Sequence, residues 1–148
     1  MSKNPEPVDI LIVEDDDDDY FLLKEAMEVA HVSNATKRVK DGEELMSFLF
    51  KNHGEKKPSF KPGLILLDLN LPKKGGKEAL GEIKANINFR KIPIIVLTTS
   101  NAEEDISQSY DLGVNSFIQK PLRFEQMVDF FSVLSKYWFH FVKLPQKK

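Results

Sequence analysis

The chain contains no cysteine, which excludes disulfide staples, thiolate catalysis and thiolate-held zinc, and fits a reducing compartment. It also has little net charge. Its 21 Lys and Arg stand against 23 Asp and Glu, a balance of −2, so no global basic field draws it to nucleic acid or to an anionic membrane. No apolar run approaches the roughly 20 residues a membrane helix requires, and residues 1–7 lack the apolar core of a signal peptide. A soluble, cytoplasmic protein is the expectation. Internal repeats are absent too. What is present is 148 residues, 41% hydrophobic and 30% charged, the size and balance of one compact domain with a substantial core.

Residues 63–72 organise the rest. Leu64, Ile65, Leu66 and Leu67 run without a charge into Asp68, and Pro72 ends the segment, which reads as a strand buried on both faces that delivers one carboxylate to the rim of the core. Upstream, residues 8–13 form a shorter β-branched run that stops at an acidic stretch from Glu14 to Asp19. Asp17 to Asp19 suit the first turn of a helix, with Tyr20, Leu23, Ala26 and Met27 facing inward. Residues 35–39 read as an edge-like strand, and Asp41-Gly42 turns into a helix over 43–51 with Leu45, Phe48 and Leu49 inward. Residues 52–62 read as an exposed polar loop with no assigned chemistry.

Beyond Asp68, Gly75-Gly76 opens a helix that buries Ala79, Leu80 and Ile83. Residues 92–97 form another continuous apolar strand, ending at Thr98. Ser100 or Asn101 is expected to cap the next helix, with Glu103 to Asp105 in its first turn, and Gly113 stops it. Residues 114–119 form a last strand that ends at Lys120-Pro121, and a final amphipathic helix covers 124–136. The tail is unusually aromatic, carrying Tyr137, Trp138, Phe139 and Phe141.

Alternating strands and helices imply right-handed crossovers and hence a parallel sheet with helices on both faces. In such sheets the functional cleft lies at the carboxyl ends of the strands. Those ends carry Glu14 and Asp15, then Asp68, Thr98 and Lys120. Each alone has an ordinary explanation: a cap or turn for Asp68, a cap for Thr98, a solvated lysine before proline. Their convergence on one cleft does not. Clustered carboxylates repel unless a cation sits among them, and hard oxygen ligands that leave room for water and phosphate favour Mg²⁺. Asp15 and Asp68 are the expected direct ligands, with Glu14 acting directly or through water and the backbone carbonyl of Asn70 supplying another oxygen. Asp68 is then a nucleophile toward phosphorus, with Lys120 and Thr98 binding the phosphoryl oxygens.

These residues carry a resemblance. Ile10 to Asp15, Leu66 to Pro72 with Gly76, Ile92 to Thr98, and Gly113 through Lys120-Pro121 resemble the receiver domain of two-component response regulators, over residues 9–136. The resemblance implies a flavodoxin-like α/β fold: a doubly wound, five-stranded parallel sheet of order 2-1-3-4-5 with five helices. It implies Mg²⁺-dependent phosphorylation of Asp68 by a sensor histidine kinase and slow self-dephosphorylation, in a bacterial signalling protein rather than a turnover enzyme. It further implies a switch pair, Thr98 and Phe117, and lifetime-tuning positions at Asn70 and Ser100. The loop before the central strand, Leu71 to Gly76, Leu97 to Asn101 and the ending Val142-Lys143-Leu144-Pro145 are most similar to standalone receivers associated with bacterial phytochrome kinases. That makes residues 1–8 a polar lead-in and residues 137–148 an extension. With no DNA-binding or enzymatic domain after Lys136, the expected output is contact with an unidentified downstream protein.

Several alternatives stay open at this stage. The tail either forms an interface, such as that of a homodimer, or folds back as an extension of the last helix. Phe117 is either the switch aromatic or an ordinary core ring. His140 reads as interfacial, His31 and His53 as solvated. A haloacid-dehalogenase-type phosphatase or phosphotransferase would use the same nucleophile, metal, threonine and lysine, but it wants a second aspartate where this chain has Asn70, which cannot protonate a leaving group. A flavodoxin-like FMN site around Thr98 to Asn101 is disfavoured because the acidic cleft repels the flavin phosphate.

Overall fold

A computed structural model describes residues 8–145. Its elements alternate along the chain: β1 (Asp9–Val13), α1 (Asp17–Val29), β2 (Thr36–Val39), α2 (Gly42–His53), β3 (Pro62–Leu67), α3 (Gly76–Ala85), β4 (Ile94–Thr98), α4 (Glu103–Asp111), β5 (Ser116–Gln119) and α5 (Phe124–Leu134). The five strands make one all-parallel sheet in the order β2-β1-β3-β4-β5. Two apolar layers sandwich it, as the uninterrupted hydrophobic runs of β1, β3 and β4 require. One face packs Leu11, Val13, Ile65, Leu67, Ile94 and Val96 under α2 and α3. The other packs Ile10, Ile12, Leu64, Leu66, Ile95 and Leu97 under α1 and α5. The alternation of odd and even residues between the layers follows from the two-residue period of a strand.

Each helix begins where its local chemistry dictates. Asp16 caps α1 by accepting the N–H of Asp19, and Asp17 to Asp19 occupy the first turn. Asp41 caps α2 through the N–H of Glu44. The start of α4 differs from expectation, since Ala102, not Ser100 or Asn101, holds the cap position and offers no side chain. The Ser100 hydroxyl instead accepts from Ala102 N at 3.3 Å and donates to the Asp105 carboxylate, so it ties down the approach to the helix from two residues earlier.

Boundaries shift elsewhere by a residue or two. β4 begins at Ile94 and not Ile92, and β5 begins at Ser116 and not Val114. Ile92 and Val114 are apolar and packed on the core, and Pro93 and Asn115 each make a single backbone bond to a neighbouring strand, Pro93 O accepting Ile65 N at 3.0 Å and Asn115 N donating to Ile94 O at 2.9 Å, but the continuous ladder starts only after them.

The tail extends α5 as the fold-back alternative anticipated. From Ser135 to Phe141 the chain winds in π-helical turns, whose i to i+5 spacing is seen in the bond from Val142 N to Tyr137 O. Trp138 and Phe139 pack against the α1 and α5 layer. His140 is exposed, as are His31 and His53. Most of the expected lead-in, residues 1–7, lies outside the described residues, as do residues 146–148 and the side chain of Phe141. Among the described residues, no helix is long and apolar enough to cross a membrane.

Candidate phosphoryl-acceptor site

Parallel pairing places the predicted residues at one end of the sheet. The ladder carries one residue past β3, with Asp68 N donating to Val13 O at 3.1 Å, so Asp68 stands beside Glu14 at the end of β1. On the other side Lys120 N donates to Thr98 O at 2.6 Å, which sets the lysine next to the threonine. The loop after Asp68 turns tightly, with the N–H groups of Leu71 and Gly76 both donating to Leu69 O. Glycine at 76 is required by close approach: a Cβ there would lie 2.6 Å from Asp68 O and 2.6 Å from the Leu69 Cα.

The side chains converge. One Asp68 oxygen, Oδ1, accepts the Thr98 hydroxyl at 2.9 Å and the N–H of Asn70 at 3.0 Å. The other, Oδ2, accepts Lys120 Nζ at 2.9 Å. The same ammonium also donates to Glu14 and, at 3.3 Å, to Asp19. Its three donors therefore meet three carboxylates. Glu14, Asp68 and Thr98 are buried, whereas Asp15 is exposed beside them. Glu14, Asp15 and Asp68 can present one oxygen each within 4.8 Å of one another, the separation at which one ion can bridge them. A donor set made only of hard oxygens, with one member open to water, suits a divalent ion such as magnesium or manganese.

The electrostatics follow from burial and pairing. Burial raises the Glu14 carboxyl above the ordinary glutamate range, and the Asp68 charge adds to this against the opposing pull of Lys120. Burial alone would lower Lys120, but its hydrogen bond to Glu14 and the charge of Asp68 outweigh that and hold it well above the usual lysine range. Lys120 is thus a fixed cation at neutral pH.

The structure brings together Glu14, Asp15, Asp68, Thr98 and Lys120. Asn70 is exposed at the rim, its amide 3.4 Å from the Thr99 hydroxyl, and Ser100 lies at the start of α4 on Asp105. Phe117 is half-buried against the α2 and α3 layer, and its N–H donates to the Tyr110 hydroxyl at 3.2 Å.

Two contributors escaped sequence reasoning. Asp19, assigned only to a helix turn, reaches Lys120. Arg38 of β2 donates through Nε to Glu14 O at 2.9 Å, pairs with Asp17 at 2.8 Å and stacks on Tyr20 with its guanidinium carbon 4.5 Å from the ring centre. A lysine before β2's arginine and a lysine after it gave no signal that the middle one turns inward.

The model of the response regulator receiver domain matches residues 10–132. This chain belongs to that family. Among curated proteins, the receiver is 40% identical over 144 residues to response regulator Rcp1 of Synechocystis sp., covering 97% of each chain. The crystal structure of the Mn²⁺-bound form of Rcp1 superposes with a TM-score of 0.81 at 39% identity, over 95% of this chain and all of that one. The phosphorylated cyanobacterial phytochrome response regulator RcpA gives a TM-score of 0.84 at 40% identity, over 95% of this chain and 99% of that one. The bacteriophytochrome response regulator AtBRR gives 0.73 at 36%, over 96% and 100%. The receiver therefore resembles phytochrome-associated response regulators in sequence and in fold.

Proposed function

We propose that this receiver accepts a phosphoryl group from a sensor histidine kinase onto Asp68 in a Mg²⁺-dependent reaction and passes the signal on through a protein-binding surface. The observation that carries the reading is the clasp on Asp68, whose two oxygens are separately held at 2.9 Å by the Thr98 hydroxyl and the Lys120 ammonium while Glu14 and Asp15 stand within ligand reach. An Asp68 oxygen attacks phosphorus, the P–N bond of a phosphohistidine breaks, and the released imidazole takes up a proton. Lys120 and Thr98, already aimed at the carboxylate, exchange their Asp68 contacts for oxygens of the transferring group and stabilise its charge. Mg²⁺ on Glu14, Asp15, Asp68 and the Asn70 carbonyl, when bound, would neutralise negative charge on that group. The Mn²⁺ of Rcp1 and the phosphorylation of RcpA are in keeping with this chemistry.

Output follows from the same hydroxyl. Moving Thr98 toward the phosphoryl group vacates space beside β4, and the half-buried Phe117 turns inward to fill it, altering the surface of α4, β5 and α5 that includes Tyr110. Asn70 and Ser100 flank the site and tune the lifetime of the phosphorylated form. The resemblance to AtBRR supports a phytochrome-type kinase as donor. The cytoplasm is the fitting compartment, and a homodimer through the aromatic extension is one way the signal is read.

Incubation with Mg²⁺ and acetyl phosphate tests the central step. Intact mass should rise by one phosphoryl group in the wild type and not in Asp68→Asn or with EDTA. A modified Asp68→Asn, or steady turnover of simple phosphate esters, would overturn the assignment.

A further inference from the structure

The end of α2, the start of β3, the segment before β4 and the end of the tail take no part in the phosphoryl chemistry. At the opposite pole from Asp68, where β3 and β4 begin, they enclose a cavity of about 150 Å³. Leu49, Phe89, Ile92 and Pro93 give it apolar walls, and Pro145 of the tail closes one side. That volume accommodates one large apolar side chain, since an engineered cavity of about this size takes up benzene.

The surroundings are cationic. Residues 51–62, 86–93 and 142–145 carry seven lysines and arginines (Lys51, Lys56, Lys57, Lys61, Arg90, Lys91 and Lys143) against Glu55, and Asp9 of the adjoining β1, which accepts Lys61 N at 2.6 Å, adds a second carboxylate. All seven are exposed, and Lys91 and His53 line the mouth itself. This lies within a chain of net charge −2, so the basic surface is local. Phe50, which is 55% exposed, packs edge-on to Phe89 at 5.1 Å, and Ile87, 73% exposed, lies in the loop that supplies Asn88 and Phe89. An apolar socket with exposed aromatic and aliphatic side chains beside it and lysines around it has the composition of a protein-binding hot spot with a charged rim.

We infer that this pole is a second docking site, distinct from the phosphoryl-acceptor face, for an acidic peptide segment of a partner protein that inserts one apolar side chain into the cavity. The charge complementarity names the partner's sign, and the one-side-chain socket favours a peptide over a flat nucleic acid or a lipid surface. The lysine rim raises the rate of encounter and the socket sets the residence time.

The test uses the full chain and a fluorescein-labelled ten-residue peptide of Asp and Glu around a single Phe, read by anisotropy and by amide chemical shifts. Binding should perturb Asn52, His53, Phe89 and Lys91, weaken with salt, and fall at least about tenfold when the peptide's Phe becomes Ala. Lys91→Glu at the rim and Asn88→Trp at the mouth, both surface changes remote from Asp68, should each weaken binding by about tenfold or more, with circular dichroism unchanged. No binding at about 1 mM peptide overturns the inference, as does equal binding of the Ala peptide or shifts confined to another face. Two further results overturn it: tighter binding of poly-U RNA or phosphatidylserine vesicles that ignores Asn88→Trp, and peptide binding seen only after residues 145–148 are removed.

Discussion

Replacing Lys120 with methionine isolates the ammonium from its stem. Met keeps the apolar length that packs in the cleft, but Glu14, Asp68 and Asp19 lose the cation shared among them. The side chains of Lys120, Glu14 and Asp68 are 9%, 3% and 7% exposed, so breaking the cluster belongs with buried pairs, for which removal of one partner costs about 3–5 kcal/mol. The exposed Asp15 and half-exposed Asp19 admit water to one side, which favours the lower end, about 3 kcal/mol. For a chain of this length that is a fall in melting temperature of about 6–12 °C.

A divalent ion distinguishes a metal-binding cluster from a merely acidic one. With its resident cation gone, the carboxylate set should bind a divalent ion more tightly, and a ligand at 100 times its dissociation constant restores about 2.7 kcal/mol. Melting curves of wild type and Lys120→Met, in EDTA and in excess Mg²⁺, should therefore show a large deficit in EDTA that mostly closes with Mg²⁺, and a smaller metal shift in the wild type. A variant that melts within about 2 °C of wild type in EDTA, or one whose deficit ignores Mg²⁺, would refute the reasoning.

Thr98→Val should cost about 1 kcal/mol in denaturant unfolding through the lost bond to Asp68, and Thr98→Ser should recover most of it. Gly76→Ala places a methyl group against the backbone of Asp68 and Leu69, so chemical denaturation should report a loss of about 1–3 kcal/mol and acetyl phosphate labelling should slow. The bond from Arg38 holds the Asp17 carboxyl below the ordinary aspartate range, so its stabilisation is present above about pH 4 and lost as pH falls through the lowered value. Melts taken from about pH 6 to pH 3 should accordingly fall less steeply in Asp17→Asn than in wild type. Truncation after Lys136 removes Trp138 and Phe139 from the α1 and α5 layer, which should lower the melting temperature; a stable truncation whose sedimenting mass is halved would instead identify the tail as a dimer interface.

Strand ends were legible in the sequence because a buried parallel strand leaves an unmistakable trace. Val13, Leu67 and Leu97 each close an apolar run, so the residue types that follow them had to fall at one edge of the sheet. Periodicity named the inward residues of α1 to α3 for the same reason, and Leu45, Ala79, Leu80 and Ile83 are fully buried. What the sequence hid are contacts set by long side chains across elements. Arg38 lies between Lys37 and Lys40 in a strand of alternating exposure, and only the position of Tyr20 and of the Glu14 carbonyl, both fixed by α1 and β1, makes it turn inward. Asp19 reached Lys120 for a similar reason: capping by Asp16 fixes the rotation of the first turn, and that rotation, invisible in a run of five aspartates, points the fourth residue after Asp15 at the ammonium. The tail was ambiguous because an aromatic cluster satisfies a core and an interface equally well. In the structure Trp138 reaches the layer of Phe131 and Leu134 by the ordinary helical spacing of four and seven residues, whereas Phe139, five residues after Leu134, joins that layer through the wider winding from Ser135, which a 3.6-residue period does not anticipate.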